Sequence, residues 1–194
     1  MRKDVQYIGI AGTAGSGKDT VAMLMGEIFG SISIGTGDMV RAIARQVYHL
    51  PSHARPTHEQ SYNVATFMRK HLSPSSIVEL CLLEGEVQNV RIVIIHGLRT
   101  MGEAEVFRKA GGIIVGVDAD IEKRYARLRK SRDTLANYEE FLKQEELENE
   151  GVSKKHEDLG IRYIIENADV KIDNNGSIED LEAQIREKIA PLLK

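Results

Sequence analysis

The sequence has 194 residues, of which 42% are hydrophobic and 28% charged, and its formal net charge is −3. The length suits one globular domain, and the charge gives no electrostatic reason to expect nucleic acid or an anionic membrane as a partner. The single cysteine, Cys81, excludes an internal disulfide and a cysteine-based zinc site. Because we find no signal peptide and no apolar run as long as a membrane span, we expect a cytoplasmic protein.

The glycine-rich segment 12–20, GTAGSGKDT, gives the clearest chemical indication in the sequence. The apolar run 7–11 before it predicts a buried strand, and the apolar spacing within 18–29 predicts a helix that ends at Gly30. A strand, a glycine loop ending in Gly-Lys, and a helix form the P-loop arrangement, in which backbone amides and a helix N-terminus bind phosphate. We therefore expect a phosphate site here, with Lys18 reaching the outer phosphates as a point charge.

The rest of the chain alternates apolar strand patterns with helical patterns. Further strands are predicted at 31–34, 91–95, 112–117 and 168–172. Further helices are predicted at 39–48, 58–71, 75–87, 100–110, 121–131 and 178–189. Thr36 or Asp38 is available to cap the helix 39–48, and Ser177 to cap the last one. The polar stretch 132–160 is predicted to be partly helical, with the acidic side chains of Glu145 and its neighbours on a solvated face.

This alternation predicts a five-stranded, mostly parallel sheet with helices on both faces. Ligands of such folds bind outside the carboxyl ends of the strands. Four segments directly follow strands and should therefore meet at one edge of the sheet: 12–20, 36–38, 96–99 and 174–176.

Four segments resemble the P-loop nucleoside monophosphate kinases, above all the adenylate kinase-like members. The run 15–20, GSGKDT, is similar to their Gly-x-Gly-Lys-x-Thr loop, and 33–41, SIGTGDMVR, to their Ser-Thr-Gly-Asp-Met-Leu-Arg stretch. The run 94–100, IIHGLRT, is similar to Leu-Asp-Gly-Phe-Pro-Arg-Thr, and the arginine-rich stretch 118–132 to the entry of the lid. The resemblance extends from residue 8 to about 180 and implies a three-layer α/β/α fold of the P-loop NTPase type.

The resemblance also implies roles for individual residues. It assigns ATP binding to Gly12, Thr13, Ala14, Gly15, Ser16, Gly17, Lys18, Asp19, Thr20, Asn175 and Gly176. It assigns a phosphorylated small-molecule acceptor to Thr36, Asp38, Arg41 and Arg99, and Mg²⁺ to Thr20 and, through water, Asp19. It assigns catalysis to Lys18, Arg127 and Arg132. It divides the single domain into a core (1–41, 91–128 and 160–194), an acceptor-binding insert (about 42–90) and a short lid (about 129–159).

Two positions depart from the family pattern. Asp19 stands where a strict P-loop has Ser or Thr, and it could hold magnesium through water or cap the helix. His96 stands where the family has an Asp that supports magnesium-bound water, and a neutral His supplies no negative charge. We therefore hypothesise that Asp19 compensates for the carboxylate missing at position 96.

The acceptor remains open at this stage, as does the oligomeric state. A nucleoside or deoxynucleoside monophosphate fits segment 33–41, whereas the end of the chain, 166–181, also resembles dephospho-coenzyme A kinases. A different class, an ATP-dependent switch or assembly factor, would explain the loss of Asp at His96. The turn 174–176 would lie near the adenine of ATP, or would be a turn selected for left-handed geometry.

Overall fold

Five parallel strands form a single sheet, and helices cover both of its faces, in a computed structural model that describes residues 4–131, 137–149 and 160–193. The strands are β1 (Gln6–Gly12), β2 (Ile32–Gly35), β3 (Ile92–Leu98), β4 (Ile113–Asp118) and β5 (Val170–Asp173). Their order across the sheet is β2-β3-β1-β4-β5, with every pair parallel. The α/β class and the five-stranded parallel sheet are thus confirmed.

The helices alternate with the strands along the chain. They are α1 (Lys18–Phe29), α2 (Thr36–Val47), α3 (His58–His71), α4 (Ser76–Val87), α5 (Met101–Lys109), α6 (Ile121–Ser131), α7 (Tyr138–Asn149), α8 (Ile161–Glu166) and α9 (Ile178–Lys188), followed by a 3₁₀ turn at Ala190–Leu192. None of the helices in the described ranges is both long enough and apolar enough to cross a membrane.

The core has two layers because successive strand side chains point to opposite faces. Ile8 and Ile10 of the central strand β1 pack with α1 and α9 on one face. Tyr7 and Ala11 pack with α4, α5 and α8 on the other. A smaller apolar cluster joins α2 to α3 and α4. The helices α3 and α4 and the end of α2 lie within the predicted insert, about 42–90. This packing fixes the strand ends from which the loops of the site emerge.

Several predicted boundaries are wrong. α2 begins at Thr36 with Gly35 as its N-cap, so neither Thr36 nor Asp38 caps it with a side chain. β3 continues past residue 95 to Leu98, because Gly97, at φ 94°, forms a bulge that keeps the strand paired with β1. β5 begins at Val170, two residues later than predicted. The sequence does not indicate α8, because its six residues are too few to show a clear helical period.

Cys81 is fully buried in the layer beside β3, as its apolar neighbours in the sequence predict. Burial raises the pKa of its thiol to about 12, and the nearby carboxylate of Glu103 adds to this rise. The thiol is therefore protonated at neutral pH, and it behaves as a small hydrophobic side chain.

The core packing can be tested at Phe107, a fully buried aromatic on α5. Phe107→Ala should lower the free energy of unfolding by about 3–5 kcal/mol, because it removes buried area and leaves a cavity. Met23→Ala, at an exposed position of α1, should change it by less than about 0.5 kcal/mol. Urea denaturation followed by circular dichroism measures both, and equal effects would contradict this account of the core.

Candidate functional site

The loop between β1 and α1 forms a cradle of backbone amides. Gly15 and Gly17 have φ angles of 76° and 90°, a backbone conformation that residues other than glycine rarely adopt. Gly17 is the N-cap of α1, and no side chain in the described ranges caps this helix end. The first amides of any α-helix have no carbonyl partner within the helix. The loop therefore directs amide groups and the positive end of a helix dipole toward one point, as an anion site requires.

The cradle is held from behind by a residue distant in sequence. Asn174, which directly follows β5, is buried, and its Nδ2 donates to the carbonyl oxygen of Ser16 at 2.8 Å. A Cβ at Gly17 would collide with that amide, and one at Gly12 would lie 2.5 Å from Ser16 Oγ. Ser16 Oγ is buried and has no hydrogen-bond partner among the described residues. The loop thus fits only glycine at these positions and leaves a buried hydroxyl beside the cradle.

Asp19 links this loop to the end of β3. Its Oδ1 lies 2.9 Å from Nδ1 of His96, and its Oδ2 lies 3.7 Å from Nζ of Lys18. The carboxylate is 70% exposed, whereas the side chains of His96 and Lys18 are mostly buried. The hydrogen bond from His96, and secondarily the charge of Lys18, lower the pKa of Asp19 to about 2. Asp19 is therefore ionised at neutral pH, and each of its two oxygens faces a different partner.

The segment after β2 lies on the other side of His96. Thr36 is buried, and its Oγ1 donates to the carbonyl oxygen of Gly97 at 2.8 Å, which joins the start of α2 to the bulge in β3. One turn along α2, Arg41 Nη2 donates to Asp38 Oδ1 at 2.5 Å. The two residues are paired on the protein surface, so the guanidinium of Arg41 is already oriented by a carboxylate.

Arg99 directly follows β3, and both its main-chain amide and its carbonyl oxygen are hydrogen-bonded. Its amide donates to Glu103 Oε2 at 2.7 Å, and its carbonyl accepts from the amide of Gly160 at 2.8 Å. The structure thus brings 12–20, 36–41 and 96–99 to the same edge of the sheet, as the strand-end pattern predicts. Hydrogen bonds join the second segment and the first to the third.

Comparison with known proteins agrees with this geometry. The family model of the AAA domain (AAA_18) matches residues 8–150, which is most of the chain. A UPF0200 protein of Aeropyrum pernix is 31% identical over 183 residues, covering 92% of this chain and 89% of that protein. This chain belongs to the AAA domain family and to the UPF0200 proteins.

Two other relatives are similar to the whole or nearly the whole of this chain, and one of them is much longer. A UPF0200 protein of Methanoregula boonei is 28% identical and covers 95% of this chain and 96% of its own length. A UPF0200/UPF0201 protein of Archaeoglobus fulgidus is also 28% identical and matches the whole chain, which spans only 58% of that longer protein.

Solved structures share the fold of this AAA domain, among them two small-molecule kinases. TT1252 from Thermus thermophilus is 20% identical with a TM-score of 0.65, covering 99% of this chain and all of that one. Shikimate kinase from Aquifex aeolicus is 20% identical with a TM-score of 0.52, covering 93% of each chain. A gluconokinase from Sinorhizobium meliloti is 15% identical with a TM-score of 0.54, covering 99% of this chain and 95% of that one. A P-loop domain of this kind binds a nucleotide.

Two arginines of this AAA domain that lie on α6 support the phosphate loop from outside. Arg127 Nη2 donates to the carbonyl of Asn174 at 2.7 Å, and its Nη1 lies 3.4 Å from the carbonyl of Gly15. Arg124 is buried, and its Nη1 donates to Glu145 Oε2 at 2.6 Å and lies 3.4 Å from the carbonyl of Ala14. Arg132, the other predicted catalytic arginine, lies outside the described residues.

The prediction that Glu145 lies on a solvated face is wrong. It is buried, and its carboxylate forms the ion pair with Arg124. A further arginine, Arg162, lies 3.9 Å from Glu145 and donates to Asp118 Oδ2 at 2.6 Å. The acidic residues near Glu145 have no helical apolar pattern that marks one of them as buried, so sequence inspection could not single it out.

Asn175, in the turn after β5, bonds the segment at the start of α6. Its Oδ1 accepts from the amide of Asp120, and its main-chain oxygen accepts from Lys123 Nζ. Neither Asn175 nor Gly176 has a positive φ, so the interpretation as a left-handed turn is wrong. Asn174, not Asn175, contacts the phosphate loop with its side chain. Two adjacent asparagines look alike in the sequence, so sequence inspection could not tell which one makes this contact.

Oxygen groups suited to Mg²⁺ lie beside the cradle. Within residues 4–131, 137–149 and 160–193, no group of three His, Cys, Asp or Glu residues could hold a metal ion by itself. The Asp19 carboxylate and the Thr20 hydroxyl are nevertheless hard oxygen groups at the start of α1. Mg²⁺ typically takes one or two protein oxygens and completes its shell with water and phosphate, so this set fits the ion.

The depressed pKa of Asp19 gives a testable pH dependence. Because the folded pKa is about 2 and the ordinary value is 3.8, the contact stabilises the fold above about pH 4, and this contribution is lost as the pH falls through about 2. A carboxyl ¹³C NMR titration should show Asp19 mostly ionised at about pH 3, and His96→Ala should move its pKa toward 3.8. His71→Ala, on α3, serves as the control, and an unchanged pKa in His96→Ala would contradict the role of the hydrogen bond.

Proposed function

We propose that this protein transfers a phosphoryl group from ATP to a small phosphorylated acceptor, a nucleoside or deoxynucleoside monophosphate. The observation that most supports this proposal is the direct junction between the two halves of the site. Asp19 of the phosphate loop contacts His96 at 2.9 Å, and the adjoining Gly97 accepts from Thr36 of the second half. A donor held by the loop and an acceptor held by residues 36–41 and 99 would therefore be neighbours.

The donor half would hold the phosphates of ATP. The amides of residues 17–20 at the N-terminus of α1 supply donors and a positive dipole, and Lys18 supplies a point charge. Arg127, fixed on the carbonyls of Gly15 and Asn174, would stiffen this half and keep positive charge beside the phosphates. Asn175 and Gly176 would lie at its outer end, toward the adenine.

The acceptor half would use two arginines from different elements. Arg99 and Arg41 each offer a planar guanidinium that can bind phosphate through two parallel hydrogen bonds. A phosphate at Arg41 would compete with Asp38, so the acceptor must be anionic enough to replace a carboxylate. In this proposal α3 and α4 form an insert over the acceptor, and residues 129–159 form the lid, with Arg132 as a further charge.

The reaction itself asks for little covalent chemistry from the protein. An acceptor oxygen forms the new bond to phosphorus as the bond to the ADP oxygen breaks, so the protein must align the two and neutralise charge. Mg²⁺, when bound by Thr20 and Asp19, would neutralise phosphate charge. Excluding water from this edge of the sheet would keep ATP from being hydrolysed.

Two other groups of acceptors belong in the same assay. Shikimate kinase and gluconokinase share the fold, and arginines such as Arg41 and Arg99 bind carboxylates as well as phosphates. Dephospho-coenzyme A follows from the resemblance of residues 166–181. A switch or assembly factor would instead phosphorylate none of these compounds and would hydrolyse ATP slowly in the presence of each.

Lys18→Met gives the first test of the proposal. Wild-type protein with ATP and Mg²⁺ should release ADP with at least one nucleoside monophosphate in a panel that also contains dephospho-coenzyme A, shikimate and gluconate. Lys18→Met should lower that rate by about 100-fold or more, because the protein loses the positive charge that would stabilise the transferring phosphoryl group. Lys109→Met, at an exposed lysine in the last turn of α5, provides the control.

Each outcome of the panel has a defined meaning. Activity only with dephospho-coenzyme A or a hydroxy acid would correct the acceptor, and slow hydrolysis without any acceptor would support the switch. If Lys18→Met kept its activity within a few-fold of wild type, phosphoryl transfer at this loop would be refuted.

Asp19→Ser tests the hypothesis that Asp19 compensates for His96. We expect the concentration of Mg²⁺ needed for half-maximal activity to rise by about 10-fold or more, as is typical when a group supporting a metal is removed. Ser is the appropriate replacement because a strict P-loop has Ser or Thr at this position. An unchanged Mg²⁺ requirement would show that Asp19 serves only the loop and His96.

A further inference from the structure

Glu103, in the first turn of α5, is a fully buried carboxylate that the proposed chemistry does not use. One oxygen, Oε2, accepts from the amides of Arg99 at 2.7 Å and Thr100 at 3.2 Å. The other, Oε1, accepts from Nε of Arg69 at 3.1 Å and from its Nη2 at 2.9 Å. Four donors therefore converge on a single side chain that has no contact with solvent.

Helix capping alone does not explain this arrangement. Glu103 forms a capping box with Thr100, but the described residues contain two other capping boxes, at Thr57 with Gln60 and at Ser177 with Asp180. Neither of those third-position side chains is buried, and each bonds the N-cap amide. Glu103 also bonds the amide before the N-cap, which is that of Arg99. A buried carboxylate costs free energy unless it is paired, so capping gives no reason to bury it.

The partner that pairs with Glu103 comes from the proposed insert. Arg69 lies on α3, and its side chain is only 14% exposed. A second contact joins the same regions, because Thr100 Oγ1 lies 3.3 Å from the carbonyl of Pro74, just before α4. Of the two residues between β3 and α5, Thr100 makes this contact and Arg99 bonds Glu103 through its amide. The position of the Arg99 peptide therefore depends on contacts from α3 as well as from α5.

We propose that Glu103 and Arg69 are positioning residues that fix the Arg99 peptide, so that its guanidinium is placed for an anion and the insert is coupled to the acceptor half of the site. The proposal rests on the proposed function only in naming that anion as the acceptor's phosphate. If the Arg69–Glu103 bond is broken, the amide of Arg99 loses its rigid acceptor and the turn can relax. Anion affinity at Arg99 should then fall, while nucleotide binding at the phosphate loop, which forms no hydrogen bond with Glu103 or Arg69 among the described residues, is unchanged.

The test uses inorganic phosphate as the probe and the full chain with its phosphate loop saturated with Mg-ADP. Phosphate is titrated while the ¹H–¹⁵N signals of the Arg99 amide and Nε–H are followed by NMR. In Glu103→Gln the side-chain NH₂ cannot accept, so the carboxylate's contacts with Arg99 and Arg69 cannot all be kept. We expect the Kd for phosphate at Arg99 to rise about tenfold, the lower end of what is typical when a partner that orients a metal ligand is removed, with the Kd for ADP unchanged.

Asp180→Asn provides the matched control, since it makes the same change from carboxylate to amide in the capping box of α9. It should leave both dissociation constants unchanged, although it shares any loss of helix capping. Arg69→Lys gives an independent variant that keeps a cation beside Glu103 but loses the two-pronged contact. It should also weaken phosphate binding, and it tests the proposal if Glu103→Gln does not fold.

The proposal is overturned if the wild type shows no phosphate binding at Arg99, or if a folded Glu103→Gln or Arg69→Lys binds phosphate within twofold of wild type. Equal weakening of phosphate and ADP would also overturn it, because this is the result expected from general destabilisation. Failure of the proposed function is a separate result, in which phosphate binds at Arg99 but no acceptor in the panel is phosphorylated.

Discussion

The parallel pairing of β1 with β3 is the constraint on which the rest of the site depends. Ile10, near the end of β1, lies opposite His96, and one strand continues into the phosphate loop while the other continues into the turn at Arg99. A shift of this register by one residue would exchange the faces of every side chain on the strand. The register thus places Asp19 and His96 within hydrogen-bonding distance although 77 positions separate them in the chain. The apolar layers on both faces of β1 hold this register, so packing in the core determines geometry at the edge.

The anion site arises from local geometry in a chain whose net charge is negative. Backbone amides, a helix end and a few cations are concentrated at the carboxyl ends of the strands, where P-loop folds bind phosphate. The supporting contacts come from distant elements, since Asn174 holds the loop at Ser16 and Arg127 joins the loop to the turn after β5. Support of this kind limits the movement of the loop, and a preorganised site loses less free energy on ordering when its ligand binds.

The sequence predicted most elements because their signals are local. The position of α1 follows from its apolar spacing and from Gly30 at its end, that of α3 from its apolar residues, and those of β1 and β4 from short apolar runs. The errors occurred where a distant partner decides the outcome. Thr36 has the chemistry of a cap but donates instead to a carbonyl in β3, and Glu145 has the chemistry of a surface residue but is buried against Arg124. Neither contact leaves a periodic trace in the sequence.

The sequence by itself determined the α/β class, the phosphate loop and the set of strand ends at which a site could form. These depend on residue order, on glycine at fixed positions and on hydrophobic period, all of which act over a few residues. Only the tertiary structure decided which side chains meet: Asp19 with His96, Asn174 with Ser16, and Arg69 with Glu103. The physical reason is that a hydrogen bond or ion pair depends on distance and direction to a fraction of an ångström. Those quantities are fixed by the packing of the whole domain, whereas residue type fixes only which bonds are chemically possible.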